Sequence, residues 1–551
     1  MMNSVDKKPN WTNSLKWIGP IFIVSLIYIL DYRYFVSPPL RSDDWEWLVY
    51  SYIFAPLKVV DLTNRRPFIS TLFSLLTPIF GLRIQWYYVV NWLIIFVMGV
   101  VIYQIVVKVF PKHSWLALPI ALIFLIYPVN YARTWLVIVM NALALLLALL
   151  VILLMIEYSK TGRGWLIIVG HILLVISLGM YEVGFGIVLL TTFFLCCSGK
   201  IPKQRRVIIG TLFLTCIAFL VFRTFIQPKV LGIHDFYLDS VSLSVPAIFQ
   251  RYIQGLFIFL FNWIGPFLFG FGDKKYWAFV GICAVLLVVF LILLPRIIKS
   301  AKENPVFLYN ERMHQIRSLL EMALLGAGLW VAGYIPMIAL WQPIFYGDGS
   351  RVNMGAVPGA ALFAVAASAS LITLLAKKKE VIYRILIIML IPMLLLGMVF
   401  QVHSQEVRFQ VWEVYKGFWR ALFDVVPGFE EGTKVVIVIP GYDELGPFEM
   451  LPFRGDWEAQ SALRVLYNDQ SLFAEYYYAD IPEHADNWFP ASGEDFSRFV
   501  FIFFDPEASQ VRVIEDPRGV FNFPGNFDGY DPYGRVIEYE LSMGEYRWLV
   551  E

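Results

Sequence analysis

Long apolar runs separated by short polar stretches make up the first 400 residues. A helix needs about 20 consecutive apolar residues, roughly 17–25, to cross a bilayer core. Runs of that kind lie near 15–36, 86–108, 115–128, 135–156, 165–181, 183–198, 207–227, 276–295, 319–341, 354–376 and 381–400. Two more apolar stretches, 68–82 and 251–272, are broken by Gly and Pro and read as segments that dip into the membrane surface. After residue 400 the pattern changes. Residues 434–440 and 499–505 are short apolar runs bounded by turn residues, which predicts buried strands. Residues 511–516 and 535–541 alternate and predict half-exposed strands. Between them, 457–478 has a helical period, with Trp457, Ala462, Leu463 and Leu466 on one side. The expected fold is a polytopic α-helical membrane protein with about eleven transmembrane helices over 1–400. An extracytoplasmic α/β domain over 401–551 follows.

Charge sharpens this division. The whole chain carries +1, but residues 401–551 hold 11 Lys and Arg against 27 Asp and Glu, a balance of −16. The first 400 residues hold the remaining 33 against 16, or +17. Their basic clusters are Lys7/Lys8/Lys16, Lys108/Lys112, Lys160/Arg163, Lys200 to Arg206, Arg296 to Arg317 and Lys377 to Lys379. All can be cytoplasmic if 251–272 does not cross as a simple helix, as the positive-inside bias requires. The N-terminus is then inside, the acidic tail outside, and the protein a multi-pass plasma-membrane protein. The first apolar run follows Lys7, Lys8 and Lys16 with no small-residue cleavage site, so it reads as an uncleaved anchor. With 58% hydrophobic and 16% charged residues, a water-soluble or disordered chain is excluded for most of the length. Cys196, Cys197, Cys216 and Cys283 lie in or at the end of apolar runs and predict neither a disulfide framework nor a Cys-based metal site.

Under this topology the informative charges are those in the outer loops. Asp43 and Asp44 follow the first span directly, flanked by Trp45, Glu46 and Trp47. A carboxylate is the natural base for an acceptor hydroxyl. Asp43 and Glu46 also have the spacing of a capping box, and the tryptophans suit a membrane interface. Arg65 and Arg66 precede Pro67 in the same loop, and Arg133 and Arg351 occupy two further outer loops. The guanidinium fork matches phosphate, whether of a substrate or of a lipid headgroup. Arg351 ends the glycine-containing stretch Tyr346 to Arg351. Glu182 sits between two apolar runs, where an ionisable residue is a functional candidate by default. The six His show no metal-ligand spacing, and Gly441 to Glu444 reads as a turn.

Over about 15–230 this order of residues resembles the GT-C superfamily of integral-membrane glycosyltransferases, closest to its protein O-mannosyltransferase branch. The pieces are the Asp43/Asp44 pair after the first span, then Arg66-Pro67 before a run ending at Gly81, then Asn91. The turn Tyr127-Pro128-Val129-Asn130 and the step Ser177 to Glu182 follow. The chain departs from that pattern in two places: Tyr181 stands where relatives carry Lys, and the turn lacks their His. The resemblance implies an inverting transfer of a sugar from a polyprenyl-phosphate donor to an acceptor (protein, lipid or glycan) on the outer face. It implies Asp43 or Asp44 as base or acceptor-positioning group, with Glu182 in the catalytic set. The implied leaving phosphate needs cations at headgroup level, for which Arg65, Arg66, Arg133 and Arg351 are the candidates. No metal site is expected, although the two adjacent Asp could hold Mg2+ or Mn2+. Membrane lipids are expected partners and nucleic acid is not. Three other readings remain: a polysaccharide polymerase or ligase, a lipid-linked-glycan transporter, and an envelope scaffold.

Overall fold

The computed structural model describes residues 11–26, 38–40, 43–61, 64, 66–129, 135–197, 201–230, 244–263, 309–338, 343, 348–375, 379–439, 456–478, 496–506, 508–517, 530–537 and 546–550. The described residues are largely helical as far as residue 425 and end in a small sheet region. In chain order the helices are α1 (Trp11–Leu26), α2 (Thr71–Phe80), α3 (Ile84–Val109), α4 (Ala117–Ile126), α5 (Val139–Thr161), α6 (Gly164–Met180) and α7 (Phe185–Cys197). They continue as α8 (Lys203–Val221), α9 (Val245–Phe261), α10 (Tyr309–Ile338), α11 (Val357–Leu375), α12 (Lys379–Val425) and α13 (Asp456–Leu466).

Among the described residues six helical stretches are long and apolar enough to cross a membrane: Ile84–Val109, Val139–Thr161, Lys203–Val230, Arg312–Ile335, Ser350–Leu375 and Ile388–Val425. The runs expected at 115–128, 165–181 and 183–198 form shorter apolar helices. The run at 276–295 lies outside the described residues. The broken stretch 68–82 yields only the ten-residue α2, with Pro78 inside it. At about 1.5 Å per residue such a helix is half the length a crossing needs.

The bundle is organised around α5, which packs against α3, α6 and α7. Most of its residues are buried, which is why its sequence is apolar all round rather than striped. The outer helices keep apolar residues outward: Leu214, Ile168 and Leu371 are each more than half exposed. An apolar surface of this kind is stable against lipid tails. Helices α10 and α11 approach backbone to backbone. A Cβ on Gly359 would collide with the backbone of Trp330, and one on Gly326 with that of Phe363. Small residues allow this close packing where lipid, not water, surrounds the helices.

Helix α12 is 47 residues long, about 70 Å at the standard rise, more than twice a bilayer core. Within the bundle it packs against α4 and α11. It then leaves the bundle and runs without a break through residue 400. The polar tail therefore begins inside a continuous helix, and the first strand starts at Gly428.

The four-stranded sheet has the order β3-β2-β4-β5, from β2 (Lys434–Ile439), β3 (Phe473–Tyr478), β4 (Phe499–Asp505) and β5 (Gln510–Val513). The first three strands run parallel and β5 is antiparallel to β4. A separate pair joins β1 (Gly428–Phe429) to β6 (Val536–Ile537). The expected strands at 434–440, 499–505 and 511–516 are all present. The helical reading of 457–478 holds only to Leu466. Asn468, at φ 51°, reverses the chain, and the aromatic run to Tyr478 pairs in register with β2 as β3. β-Forming aromatics prefer that half-buried pleated surface. Phe418 of α12 packs on Phe504 at 5.0 Å between ring centroids, so sheet and helix share one core.

Candidate functional site

The residues singled out in the sequence gather at the end of the bundle where α12 leaves it. Asp43 and Asp44 lie at the start of a helical turn that passes into a π-helical segment, Trp45–Tyr50. Asp44 already has helical torsions (φ −63°, ψ −35°) and makes no side-chain cap to its own helix. Its Oδ1 instead accepts the backbone N–H of Val137, at 2.8 Å and 93 residues away. The carboxylate is 1% exposed. Burying it has a substantial desolvation cost, so its hydrogen bond across to the 135–138 turn fixes the first loop against the bundle. Trp45 beside it is fully buried against Tyr415 of α12, 6.0 Å between centroids.

The Tyr127–Val129 turn is held by three side-chain amides. Gln401 of α12 donates to Tyr127 O at 3.4 Å, Asn262 to Pro128 O at 2.6 Å and Asn353 to Val129 O at 2.8 Å. Three separate elements thus satisfy the turn's carbonyls, as buried backbone requires. Trp135 follows this turn with two guanidinium groups near its ring. Arg351 and Arg408 each lie 6.0 Å from the ring centroid, within cation–π range.

A second centre forms where α6 ends. Tyr181 is extended (φ −160°, ψ 141°) and breaks the helix before the single turn Glu182–Gly184. The backbone of Phe68 donates to Gly179 O at 3.0 Å, and a Cβ on Gly179 would collide with the Phe68 ring. That close contact brings Arg66 over the Tyr181 ring, 3.8 Å from its centroid. Arg66 also pairs with Glu182 Oε2 at 3.4 Å. The other oxygen of Glu182 pairs with Arg223, which lies in the π-helical segment Phe222–Ile226 after α8. One carboxylate therefore serves two guanidinium groups, and the group keeps an excess positive charge. Burial pushes the Tyr181 phenol up. The charges of Arg66 and Arg351, with the neighbouring Asn141 amide, outweigh it and bring the phenol down to about 8, with Asp43 opposing. The two centres are therefore electrostatic neighbours, because Arg351 and Asp43 both act on Tyr181.

Two of the expected arginines, Arg65 and Arg133, lie outside the described residues, as do Gly441 to Glu444. Asp43, Asp44, Arg66, Glu182 and Arg351 all contribute to this end of the bundle. Asn91 is buried in α3. Among the described residues no group of three or more His, Cys, Asp or Glu is placed to hold a metal ion. Sequence reasoning missed Arg223 and Arg408. Arg223 lies inside an otherwise apolar span, the signal that should have marked it. Arg408, Trp412, Tyr415 and Trp419 recur at helical spacing, but the reading stopped the span at residue 400. The two π-helical segments among the described residues both lie at this end of the bundle, and such segments are frequent at functional sites.

Asp44, Tyr88, Trp135, Arg408, Trp412 and Tyr415 line a narrow crevice between the first loop and α12, with room for about one water molecule. No family model, no curated protein and no solved structure matches this chain.

Proposed function

We propose that the protein is a membrane glycosyltransferase. It takes a sugar from a polyprenyl-phosphate donor and transfers it to an acceptor hydroxyl or amide at the outer face of the membrane. The observation that carries this reading is the convergence of a buried carboxylate, Asp44, with Arg66, Arg223 and Arg351 around two aromatic rings at one end of an apolar bundle. A lipid-phosphate donor needs that combination. Its chain partitions into the bilayer, its phosphate needs guanidinium donors, and the acceptor that attacks its anomeric carbon needs a base nearby.

In this reading Asp44 takes the proton from the acceptor nucleophile. The nucleophile attacks the anomeric carbon from the face opposite the phosphate. A new bond forms to that carbon, the bond to the phosphate oxygen breaks, and the configuration inverts. The electron pair leaves on the phosphate, whose growing charge Arg351 and the Arg66/Arg223 group stabilise. Preorganised donors aimed at developing charge are usually the largest single contribution to such catalysis. Glu182 holds Arg66 and Arg223 in place.

The reading is tested with the purified protein in lipid vesicles, supplied with polyprenyl-phosphoryl sugars labelled in the sugar. Loss of label from the lipid carrier, dependent on the protein, is expected. Label that stays on the carrier with mannosyl, glucosyl and galactosyl donors alike overturns it.

A further inference from the structure

A larger opening lies in the half of the bundle that carries Lys108 and Glu157. Helices α3, α4, α5, α7, α10 and α11 bound it. Every lining residue but Thr191 is apolar, and the Thr191 hydroxyl donates within its own helix to Ile187 O at 2.7 Å. The space is about 100 Å³, where one water needs roughly 10–15 Å³. Water finds no polar partners there, and cavities of that kind stay dry. The shape is a slot. Its lining runs from Ile102 to Phe110 along α3 and from Ile187 to Leu195 along α7, about 12 Å each at the standard rise. One leaflet of a bilayer core is about 15 Å deep. The slot therefore has the length and the lining that suit a hydrocarbon chain lying along α3.

Its surroundings identify the chain. The slot reaches the outer surface of the bundle at Phe194, which is 52% exposed, beside the half-buried Ile105, Val109 and Leu325. Toward Glu182 and Arg351 it is shut by backbones in contact. A Cβ on Gly186 would collide with the backbone of Ala332, and one on Gly355 with those of Val183 and Gly333. A lipid whose phosphate sits among Arg66, Arg223 and Arg351 therefore has no direct way into it. At the opposite end its walls run into cations. Lys112 follows Phe110 by two residues, Lys160 follows Ile156 by one turn, and Lys203 opens the helix after α7; all three are exposed. The carboxylates described nearby are engaged, Glu157 with Lys108 and Glu321 with Arg317. An apolar slot with cations at its mouth matches a hydrocarbon chain carrying an anionic head, as basic sites between transmembrane helices do for anionic lipids.

We infer that this slot is the binding site of a resident anionic phospholipid. One acyl chain fills the space among α3, α5, α7 and α10, and the phosphate lies by Lys112. The lipid enters sideways past Phe194 and completes the packing of the bundle. The inference does not rest on the glycosyltransferase reading, because the slot is closed off from the residues that reading uses.

The test is native mass spectrometry of the full chain released from nanodiscs of equal phosphatidylglycerol and phosphatidylcholine. The wild type is expected to retain phosphatidylglycerol at least about fivefold over phosphatidylcholine, the discrimination that one cation near a lipid surface provides. Thr191→Phe puts a ring into the slot and should lower the retained phosphatidylglycerol at least about fivefold without lowering the midpoint of thermal unfolding in detergent. Leu371→Phe, on the exposed face of α11, controls for added bulk and should retain lipid as the wild type does. Lys112→Gln changes an exposed residue and so does not endanger folding. It should lower the preference for phosphatidylglycerol about fivefold. A wild type that retains no lipid, or both lipids equally, overturns the inference. So does full retention in Thr191→Phe, or an unchanged preference in Lys112→Gln. With undecaprenyl phosphate added to the nanodiscs, its retention in place of phosphatidylglycerol by the wild type, lost in Thr191→Phe, would give the slot to a polyprenyl chain and overturn the phospholipid.

Discussion

The two ends of the helix bundle use their cations differently. At the end with Lys108 and Glu157, the cations close helices. Arg205 donates to Ser159 O and Lys160 O, the last carbonyls of α5, and Lys160 donates to Lys108 O. Arg312 donates to Thr373 O and Leu374 O, the last carbonyls of α11. Lys108 pairs with Glu157. These are C-terminal caps that satisfy orphan carbonyls and suit the helix dipole. At the other end, Arg66, Arg351 and Arg408 lie by aromatic rings, and Arg66 and Arg223 share Glu182. None of those contacts closes a helix. A cation that caps a helix is explained by the fold. A group of cations held against rings and a single carboxylate, in a region that also buries Asp44, is what the proposed lipid-phosphate donor would require.

The largest expected effect breaks the second end. Glu182→Ala leaves Arg66 and Arg223 facing each other, and losing one partner of a largely buried ion pair costs roughly 3 kcal/mol. Thermal unfolding in detergent checks this, with Glu182→Gln expected to lose less. Next comes the joint between the sheet region and the Asp44 turn, since α13 packs on the π-helical segment Trp45–Tyr50. Leu463, fully buried on α13, should lose about 2–3 kcal/mol on truncation to Ala. If sheet region and site are one unit, sugar transfer falls with it; transfer unchanged in a folded Leu463→Ala protein separates them.

A smaller effect is read by pH. Tyr181 has a phenol lowered from 10.0 to about 8 in the fold. Its contribution to stability is therefore complete above the unfolded value and is lost as pH falls through about 8. The stability of wild type relative to Tyr181→Phe should rise between pH 7 and about 9.5; a flat difference removes Arg66 and Arg351 as its electrostatic neighbours. The smallest effect belongs to the capping end. Arg205→Ala should cost about 1 kcal/mol and leave transfer within about twofold, because its hydrogen bonds close α5 and nothing more.

Much of the fold could be read from sequence because lipid imposes long apolar runs. The runs at 86–108, 135–156, 207–227, 319–341 and 354–376 all became helices near those positions. Strands 434–440 and 499–505 were equally plain, being short, β-branched or aromatic, and bounded by turns. Helix α12 was cut short because its second half changes from apolar to mixed without any breaker. Periodicity, not hydropathy, carries the helix to Val425. The site was legible one residue at a time, as charges in the wrong place. Its assembly was not, because Arg66 meets Glu182 over 116 residues of separation and Asp44 meets Val137 over 93. The capping reading of the first loop was a local inference about Asp43 and Glu46; the long-range hydrogen bond of its neighbour Asp44 has no local signal.

The most direct test of the central claim is a comparison of Asp44→Asn with Asp43→Asn in transfer from polyprenyl-phosphoryl sugars, in vesicles with folding checked in parallel. Asp44 is buried and lines the crevice beside α12, whereas Asp43 is only partly buried and acts electrostatically on Tyr181. The account predicts that Asp44→Asn lowers the rate about 10²–10⁴-fold and that Asp43→Asn lowers it much less. A folded Asp44→Asn protein that transfers sugar at the wild-type rate would contradict it.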